Sequence, residues 1–225
     1  MIKRLLAAAI ACLVSFGPAA VAQEQANPPR PMPLSANADI TQDLENILLL
    51  DLSNGRRVAI RLVPEWAPSH VERIKTLARD GFYDGVIFHR VIDGFMAQTG
   101  DPTGTGRGGS DLPDLSAEFN MFPHVRGSVA MARATERDSA NSQFFIVFYP
   151  RFSLDRNYTN FGRVIAGMDA VDAIERGEPP ENPTYIVQAS IAADGKPQKL
   201  PPPAAPESVL VPSLSPQTLG EAVTN

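Results

Sequence analysis

The spacing of apolar and polar residues predicts a chain built mainly from short β-strands. Residues 47–52 form an almost continuous apolar run, and Asn54-Gly55 is a strong signal for a tight hairpin turn. Residues 57–63 return with branched apolar residues at alternate positions, which is typical of a strand with one buried face. Short runs of branched and aromatic residues predict further strands over 86–92, 128–132, 143–148, 161–165 and 185–191.

Two segments carry the helical period instead. Over residues 69–80 the apolar side chains fall on one helical face, and Gly81 follows as a stop signal. Residues 168–176 show the same pattern and end at Gly177. Successive strands are joined by turns or irregular loops, which argues against a doubly wound parallel fold. We therefore expect a mainly β fold, a closed antiparallel barrel capped by two helices, because closure removes the exposed edges of short strands.

The first residues have the pattern of a secretory signal peptide. Lys3 and Arg4 give a positive start, an apolar run follows over residues 5–16, and Ala20-Val21-Ala22 is a small-residue cleavage site. We expect residues 1–22 to be removed on export. The apolar run is too short for a membrane-spanning helix, so no membrane association is expected after cleavage.

The cysteine content adds to this expectation. Cys12 is the only cysteine, and it leaves with the signal, so the mature chain can form no disulfide and has no thiolate chemistry. A lipoprotein processing site at Cys12 is an alternative, but the apolar run continues after this residue rather than preceding it. Stability must therefore come from an ordinary hydrophobic core.

Two proline-rich segments enclose a single domain. Residues 23–43 and 195–225 contain four and seven prolines and show no helical or strand period. The first is expected to be a linker and the second a disordered tail. Residues 44–194 remain, which is an ordinary size for one domain.

The net charge of the chain restricts the kinds of binding partner that can be expected. The formal net charge of −5 becomes −7 once residues 1–22 are removed, because these contain Lys3 and Arg4 but no acidic residue. An acidic surface argues against nucleic acid and against anionic membranes as partners.

The stretch FHRVIDGFMAQTGDPTGTGRGG, residues 88–109, is the strongest candidate for chemistry. It places one cation, Arg90, beside large apolar residues. A guanidinium in such surroundings is expected either to form an ion pair or to have a functional role. Alternation along the strand puts Arg90 on the same face as Phe88 and Ile92. This strand and the one at 143–148 are apolar on both faces, so one face can fill the barrel while the other forms an exposed binding patch.

A plainer interpretation makes these residues structural. Phe95, Met96 and Phe145 would then belong to the core, and Arg90 would be one half of an ion pair. The local excess of glycine, glutamine and arginine among the aromatic residues favours a binding surface, since a plain core gains nothing from buried polar groups.

Other kinds of chemistry have weaker support. Gly104, Gly106 and Gly109 match G-x-G-x-x-G, but no helix follows, so a mobile loop beside a site is favoured over a dinucleotide-binding oxidoreductase. The histidines are scattered and no metal site is expected. No G-x-S-x-G motif supports a hydrolase triad. His70 is expected on a helix surface and His89 as a hydrogen-bonded residue of the barrel.

Four stretches in the same order resemble those of a known family. Residues 88–109 are followed by Gly-Ser-Val-Ala-Met-Ala at 127–132, Ser-Gln-Phe-Phe-Ile at 142–146, and Leu154-Asp155 with Phe161-Gly162. Together they resemble the cyclophilin-type peptidyl-prolyl cis-trans isomerases over roughly residues 47–191. The short loops and the signal peptide resemble the bacterial exported form.

The resemblance implies a fold, an activity and a set of site residues. The fold is a closed eight-stranded antiparallel barrel with two capping helices and an active surface on its outside. Arg90 matches the catalytic arginine, and the reaction needs no cofactor and no metal. The other matching positions bind substrate in the family: Phe95, Met96, Phe145 and Leu154 in the proline pocket, Gln98 and Gln143 on the substrate backbone, and Ala132, Arg133 and Tyr158 along the groove.

Three positions depart from the eukaryotic members. Arg133 replaces an asparagine that bonds the bound peptide, Ser153 replaces a tryptophan, and Tyr158 replaces a histidine. The missing tryptophan implies weak binding of the cyclic peptide cyclosporin with catalysis kept. The loop 133–141 is one residue longer, so the preference for the residue before proline is expected to differ.

The resemblance implies proline-containing polypeptides as partners, namely unfolded or folding exported proteins. We expect a monomer, located in the periplasm rather than fully secreted. The alternative is a non-catalytic chaperone that holds unfolded chains in the same groove. Arg90 favours the enzyme, because a pure binder would not require the arginine.

Overall fold

The computed structural model describes residues 33–203. The signal peptide and the outer parts of both proline-rich segments lie outside these residues. The strands are β1 (Ile47–Leu52), β2 (Arg57–Leu62), β3 (Arg90–Ile92), β4 (Met96–Thr99), β5 (Ser128–Met131), β6 (Phe144–Val147), β7 (Asn160–Ala166) and β8 (Ile186–Ile191). The helices are α1 (Pro68–Arg79) and α2 (Met168–Asp172), with 3₁₀ turns at Leu44–Asn46, Phe152–Leu154 and Ala192–Asp194.

All eight strands belong to one antiparallel sheet that curls into a half-barrel. Their order is β3-β4-β6-β5-β7-β2-β1-β8. Eight antiparallel strands with two helices confirm the expected class, but the closed barrel is wrong. β3 and β8 are edge strands and share no ladder; an isolated bridge between Ile87 and Tyr185 and a few backbone hydrogen bonds, such as that from Phe88 to Thr184, join the segments beside them.

The edge strand β3 is shorter than expected. A strand was expected over residues 86–92, but β3 begins only at Arg90, and Val86 and Phe88 make single backbone hydrogen bonds to Ile186 and Thr184 instead of a ladder. After the Asp93-Gly94 turn, β4 pairs with β3 on one side and β6 on the other.

The first hairpin and helix follow the sequence pattern closely. β1 and β2 pair with Leu48 opposite Ile60, and the apolar positions of β2 all face the core. In α1, Pro68 occupies the first turn, where its missing N–H costs nothing. Gly81 ends the helix with a φ of +72°, as a C-terminal glycine does.

The second helix is shorter than expected. α2 ends at Asp172 rather than at residue 176. The guanidinium of Arg176 donates to the carbonyl oxygens of Asp172 and Ile174 at 2.6 and 2.5 Å, and so satisfies backbone acceptors at the helix end. Ile174 is still buried, which explains why the apolar period runs past the helix.

The main core lies on the concave side of the sheet. Phe144 is fully buried there and meets Tyr83 and Phe161 edge-on, with ring centroids 5.6 and 6.2 Å apart. The hydroxyl of Tyr83 donates to the carbonyl oxygen of Ser142 at 3.0 Å, which satisfies its polar end inside the core.

A buried arginine holds the segment that precedes β1. Arg61 is only 2% exposed, and its guanidinium donates to four backbone carbonyl oxygens at 2.6–2.9 Å. The acceptors are Asn37, Asp39, Gln42 and Asp43. Residues 37–43, which the composition assigns to a linker, are therefore fastened to the convex side of β2.

No helix within residues 33–203 combines the length and the apolar character needed to cross a bilayer. Within the same residues, no three His, Cys, Asp or Glu side chains come together in a group that could hold a metal ion.

Candidate active site

The sheet carries a second apolar cluster on its convex face. In β3, β4 and β6 alternate residues point away from the main core, and the register sets Arg90 opposite Gln98 and Gln98 opposite Phe145. The next row sets Ile92 opposite Met96. The buried members of this cluster are Met96, Ala130, Phe145 and Val147. Both faces are thus apolar, as the sequence predicts.

The expected position of Phe88 is wrong. Phe88 is fully buried in the main core and does not share the face of Arg90. Residues 86–89 are not in a strand, so the alternation that holds from Arg90 onward does not extend back to Phe88.

The convex cluster forms the floor of an open cavity of about 660 Å³. The only predicted site residue that does not line it is Gln143, which borders a neighbouring cavity of about 530 Å³. The predicted residues that line the larger cavity are Arg90, Phe95, Met96, Gln98, Ala132, Arg133, Phe145, Leu154 and Tyr158. The structure thus brings together residues that are up to 68 positions apart in the chain.

Arg90 lies at the edge of this apolar floor and forms an ion pair. Its Nε donates to Oε2 of Glu178 at 2.8 Å, and both side chains are about half exposed. Its terminal nitrogens make no hydrogen bond to any described residue. Arg90 therefore has the carboxylate partner that the structural interpretation expects, and its terminal nitrogens remain unpaired among the described residues at the edge of the cavity.

Two glutamines connect the cavity to the glycine-rich loop. Nε2 of Gln98 donates to Oε1 of Gln143 at 2.9 Å, and Nε2 of Gln143 donates to the carbonyl oxygen of Gly108 at 2.8 Å. The Oε1 atom of Gln98 has no hydrogen-bond partner among residues 33–203. It can accept a bond from a backbone N–H of a bound peptide.

The glycine-rich loop is wrapped around a carboxylate of its own chain. Asp101 is fully buried and accepts hydrogen bonds from the N–H and hydroxyl of Thr103, both at 2.8 Å, and from the N–H of Gly106 at 2.6 Å. Burial opposes its ionisation, but these bonds and one from Gly108 outweigh burial and lower the pKa of Asp101 to about 2. An ordinary side chain cannot replace Gly108, since a Cβ there would collide with the carboxylate.

This geometry explains why the glycine spacing resembles a dinucleotide motif. Successive backbone N–H groups cradle an anion in both cases, but here the anion is the carboxylate of Asp101 rather than a phosphate. No helix begins at the loop.

The opposite rim of the cavity is aromatic. Tyr158 meets Phe145 edge-on with centroids 5.6 Å apart, and the guanidinium of Arg151 lies 4.8 Å from the ring centre of Phe95. Leu154 completes this rim from a 3₁₀ turn in which Ser153 is exposed. Ser153 itself brings no aromatic ring to this side of the cavity.

Arg133 is held by backbone carbonyl oxygens of the rim. Its guanidinium donates to the carbonyl oxygens of Ala134, Thr135 and Asn157 at 3.0–3.1 Å. The same group lies 4.9 Å from the ring centre of Tyr158. Arg133 therefore stabilises the rim, and its charge is shared between the two cavities that it lines.

The histidines differ from their predicted roles. His70 is fully buried rather than on the helix surface, and its Nδ1 donates to the carboxylate of Glu118 at 2.6 Å. His89 is buried, but neither ring nitrogen has a hydrogen-bond partner among residues 33–203, so these residues do not bear out its prediction as a hydrogen-bonded residue. Burial lowers the pKa of His89, which Asp101 opposes and Arg90 reinforces. A neutral ring beside Arg90 leaves the guanidinium as the local cation.

Sequence reasoning missed three residues of the cavity wall, His89, Glu178 and Pro179. The last two follow Gly177 in a segment without secondary structure, and 88 positions separate Glu178 from Arg90. The only signal in the sequence was the need of a guanidinium beside apolar surface for a carboxylate.

Comparison with known proteins agrees with this geometry. The family model described as "Cyclophilin type peptidyl-prolyl cis-trans isomerase/CLD" matches residues 48–191. A "Probable peptidyl-prolyl cis-trans isomerase" of Brucella suis biovar 1 (strain 1330) is 49% identical over 170 residues, which cover 68% of this chain and 86% of the relative.

Solved structures give the same result. The crystal structure of the cyclophilin AquaCyp293 from Hirschia baltica matches with a TM-score of 0.63 and 31% identity, covering 70% of this chain and 78% of that one. A Cryptosporidium parvum cyclophilin type peptidyl-prolyl cis-trans isomerase, crystallised in the presence of the dipeptide Ala-Pro, matches with a TM-score of 0.60 and 27% identity, covering 64% and 98%. The chain therefore belongs to the family of cyclophilin-type peptidyl-prolyl cis-trans isomerases and is an enzyme of the class that this family defines.

Proposed function

We propose that this enzyme accelerates rotation about X-Pro bonds in exported proteins and that Arg90 stabilises the twisted amide. The observation that carries the proposal is the position of Arg90. Its guanidinium stands at the edge of an apolar cavity with its terminal nitrogens unpaired among the described residues.

The chemistry needs a donor that acts only in the transition state. The peptide bond has a barrier of ~18–20 kcal/mol, because the nitrogen lone pair is delocalised into the carbonyl group. In the twisted transition state the lone pair returns to the prolyl nitrogen, which then accepts a hydrogen bond. A fixed guanidinium stabilises this state and gains little from the planar ground state, so it lowers the barrier.

The other residues of the cavity are suited to bind the substrate on both sides of the rotating bond. The floor formed by Met96 and Phe145 suits the apolar ring of proline, and the free Oε1 of Gln98 suits the backbone on one side of it. The enzyme only has to hold the proline ring and the neighbouring backbone while one rotates relative to the other. This reaction therefore requires neither a nucleophile nor a cofactor.

The place of action is part of the proposal. The charged start, the apolar run and the small-residue site of residues 1–22 support export, and the periplasm is the destination that we propose. Its substrates there would be unfolded or folding exported proteins, bound by a monomer, and cyclosporin would bind weakly because Ser153 offers no aromatic contact.

A protease-coupled isomerisation assay on an Ala-Pro tetrapeptide tests the proposal. Arg90→Ala should lower kcat/KM about a hundredfold, the usual effect of removing one transition-state donor. Arg90→Lys should lose most of this activity too, because a flexible point charge lacks the planar fork of a guanidinium.

Two controls make the assay decisive. Circular dichroism and thermal melting should be unchanged in both variants, and peptide binding should be largely kept. Wild-type turnover that survives Arg90→Ala would contradict the arginine mechanism. A wild type without turnover that still protects an aggregating client would support the non-catalytic chaperone instead.

A further inference from the structure

The segment after α2 is fastened to the edge strand that carries Arg90. The N–H of Val91 donates to the carbonyl oxygen of Gly177 at 2.7 Å, and the N–H of Gly177 donates back to the carbonyl oxygen of Val91 at 2.9 Å. Gly177 therefore lies opposite Val91, and the next residue of the segment, Glu178, lies beside Arg90.

The path of this segment leaves little freedom. Gly177 has a φ of +146°, and a Cβ at this position would come within 2.5 Å of the Cα atom of Pro180, which is itself buried. Upstream, Arg176 is held by two backbone carbonyl oxygens and lies 4.4 Å from the ring centre of Phe148. The backbone of Glu178 is therefore fixed on both sides, unlike that of a typical surface ion pair.

The contact between Glu178 and Arg90 is also selective. The carboxylate binds Nε and leaves both terminal nitrogens free among the described residues. Gln98 stands directly opposite Arg90 in the register, but its amide group donates to Gln143 instead. Among the described residues Glu178 is thus the one side chain that hydrogen-bonds the guanidinium of Arg90.

We propose that Glu178 is a positioning residue that sets the guanidinium plane of Arg90, so that its terminal nitrogens face the prolyl nitrogen of a bound substrate. This inference rests on the proposed function of Arg90. An arginine side chain has several rotatable bonds, and fixing it before the substrate arrives removes that entropic cost from the reaction. The benefit appears in the transition state, so kcat should change more than KM.

The first experiment compares Glu178→Ala with Glu178→Gln. The alanine variant should lower kcat/KM about tenfold, the size commonly seen when the orienting partner of a functional side chain is removed. Glutamine keeps an oxygen acceptor at the same reach and should restore part of the loss. The matched control is Glu181→Ala, which removes the same charge from the same segment at an exposed residue with no hydrogen bond among the described residues.

The second experiment asks whether Glu178 acts through Arg90. In a double-mutant cycle, Glu178→Ala should have no further effect in the Arg90→Ala background, because the group that it positions is gone. The residual activity can be followed at high enzyme concentration. A purely structural role would instead lower activity by the same factor in both backgrounds and would lower the melting temperature.

The outcomes separate this inference from the proposed function. A wild type without isomerase activity would overturn both. An active wild type that Arg90→Ala inactivates, together with a Glu178→Ala variant within twofold of the wild type, would overturn only the role of Glu178. An additive cycle, or an equal loss in Glu181→Ala, would overturn it as well.

Discussion

The concave and convex faces of the sheet are built from neighbouring residues of the same kinds, but their surroundings differ. Phe144 and Phe145 are consecutive in β6 and both are buried. Phe144 is enclosed by the main core, whereas Phe145, although only 5% exposed, lines the open cavity and packs against the partly exposed Tyr158. The convex face differs from the core because it borders an open cavity and carries the polar groups of Arg90 and Gln98 at its edge.

The strongest test of this comparison substitutes the two phenylalanines in turn. Phe144→Ala should lower the free energy of unfolding by about 3–5 kcal/mol, because it leaves an enclosed cavity in the core. Phe145→Ala should cost only about 2 kcal/mol, the transfer term of a side chain beside space already open to solvent. Urea denaturation measures both, and the isomerase assay should show the larger loss of activity in Phe145→Ala.

Leucine at the same two positions is the control if Phe144→Ala does not fold. The smaller change should keep both variants folded and preserve the order of the two effects. Equal losses of stability at the two positions would mean that the convex cluster is closed in solution and that the comparison is wrong.

A smaller effect is expected at the rim of the convex face. Asp101 has a pKa of about 2, so its contribution to stability is present above the ordinary value of 3.8 and is lost as the pH falls through about 2. The shift corresponds to roughly 2 kcal/mol at neutral pH. Asp101→Asn should lose that amount at pH 7 and loosen the glycine-rich loop, which lowers kcat/KM. Urea denaturation of wild type and variant at pH 7 and at pH 2 measures the difference.

The control for this rim is the exposed Asp111 of the same loop, which makes no hydrogen bond among the described residues. Asp111→Asn should change neither stability nor turnover. A stability difference between Asp101→Asn and the wild type that persists undiminished at pH 2 would show that the carboxylate charge is not what holds the loop.

The smallest effect is expected from two buried histidines, one beside the main core and one beside the convex cluster. Burial lowers the pKa of His70, on the buried face of α1, and of His124, whose ring lies 6.3 Å from Phe145. A lowered pKa in the folded state means that stability present above pH 6.5 is lost as the pH falls below it, because the unfolded chain takes up the proton more readily.

Denaturation midpoints between pH 7.5 and 5.5 measure the slope of stability against pH. His70→Gln and His124→Gln should each make it shallower. If neither variant alters the dependence of stability on pH, the proton uptake on unfolding must occur at other residues.

The sequence was sufficient for local features and for the site residues that the family motif contains. The Asn54-Gly55 hairpin, the apolar face of α1 and the two apolar faces of β6 all depend on residues close together in the chain. The open edge beside β3 could not be predicted in this way, because the apolar pattern makes residues 86–92 continuous, whereas the strand begins only at Arg90.

The missed features depend on distant contacts. His70 resembles a surface residue until Glu118, 48 positions later, is brought to its ring nitrogen. Nothing in the sequence around Glu178 predicts its contact with Arg90, because that contact depends on the backbone pairing of Gly177 with Val91. The chemistry of Arg90 could be inferred from its surroundings, but the carboxylate that binds it could not.

The buried guanidinium of Arg61 has a practical consequence for dividing this chain. The family match begins at residue 48, but the acceptors of Arg61 lie between Asn37 and Asp43. A fragment trimmed to the family boundaries would lose the four carbonyl oxygens bound to Arg61 together with the segment that packs over it. The unit that folds is therefore longer than the unit that similarity delimits, and expression fragments should start before Asn37.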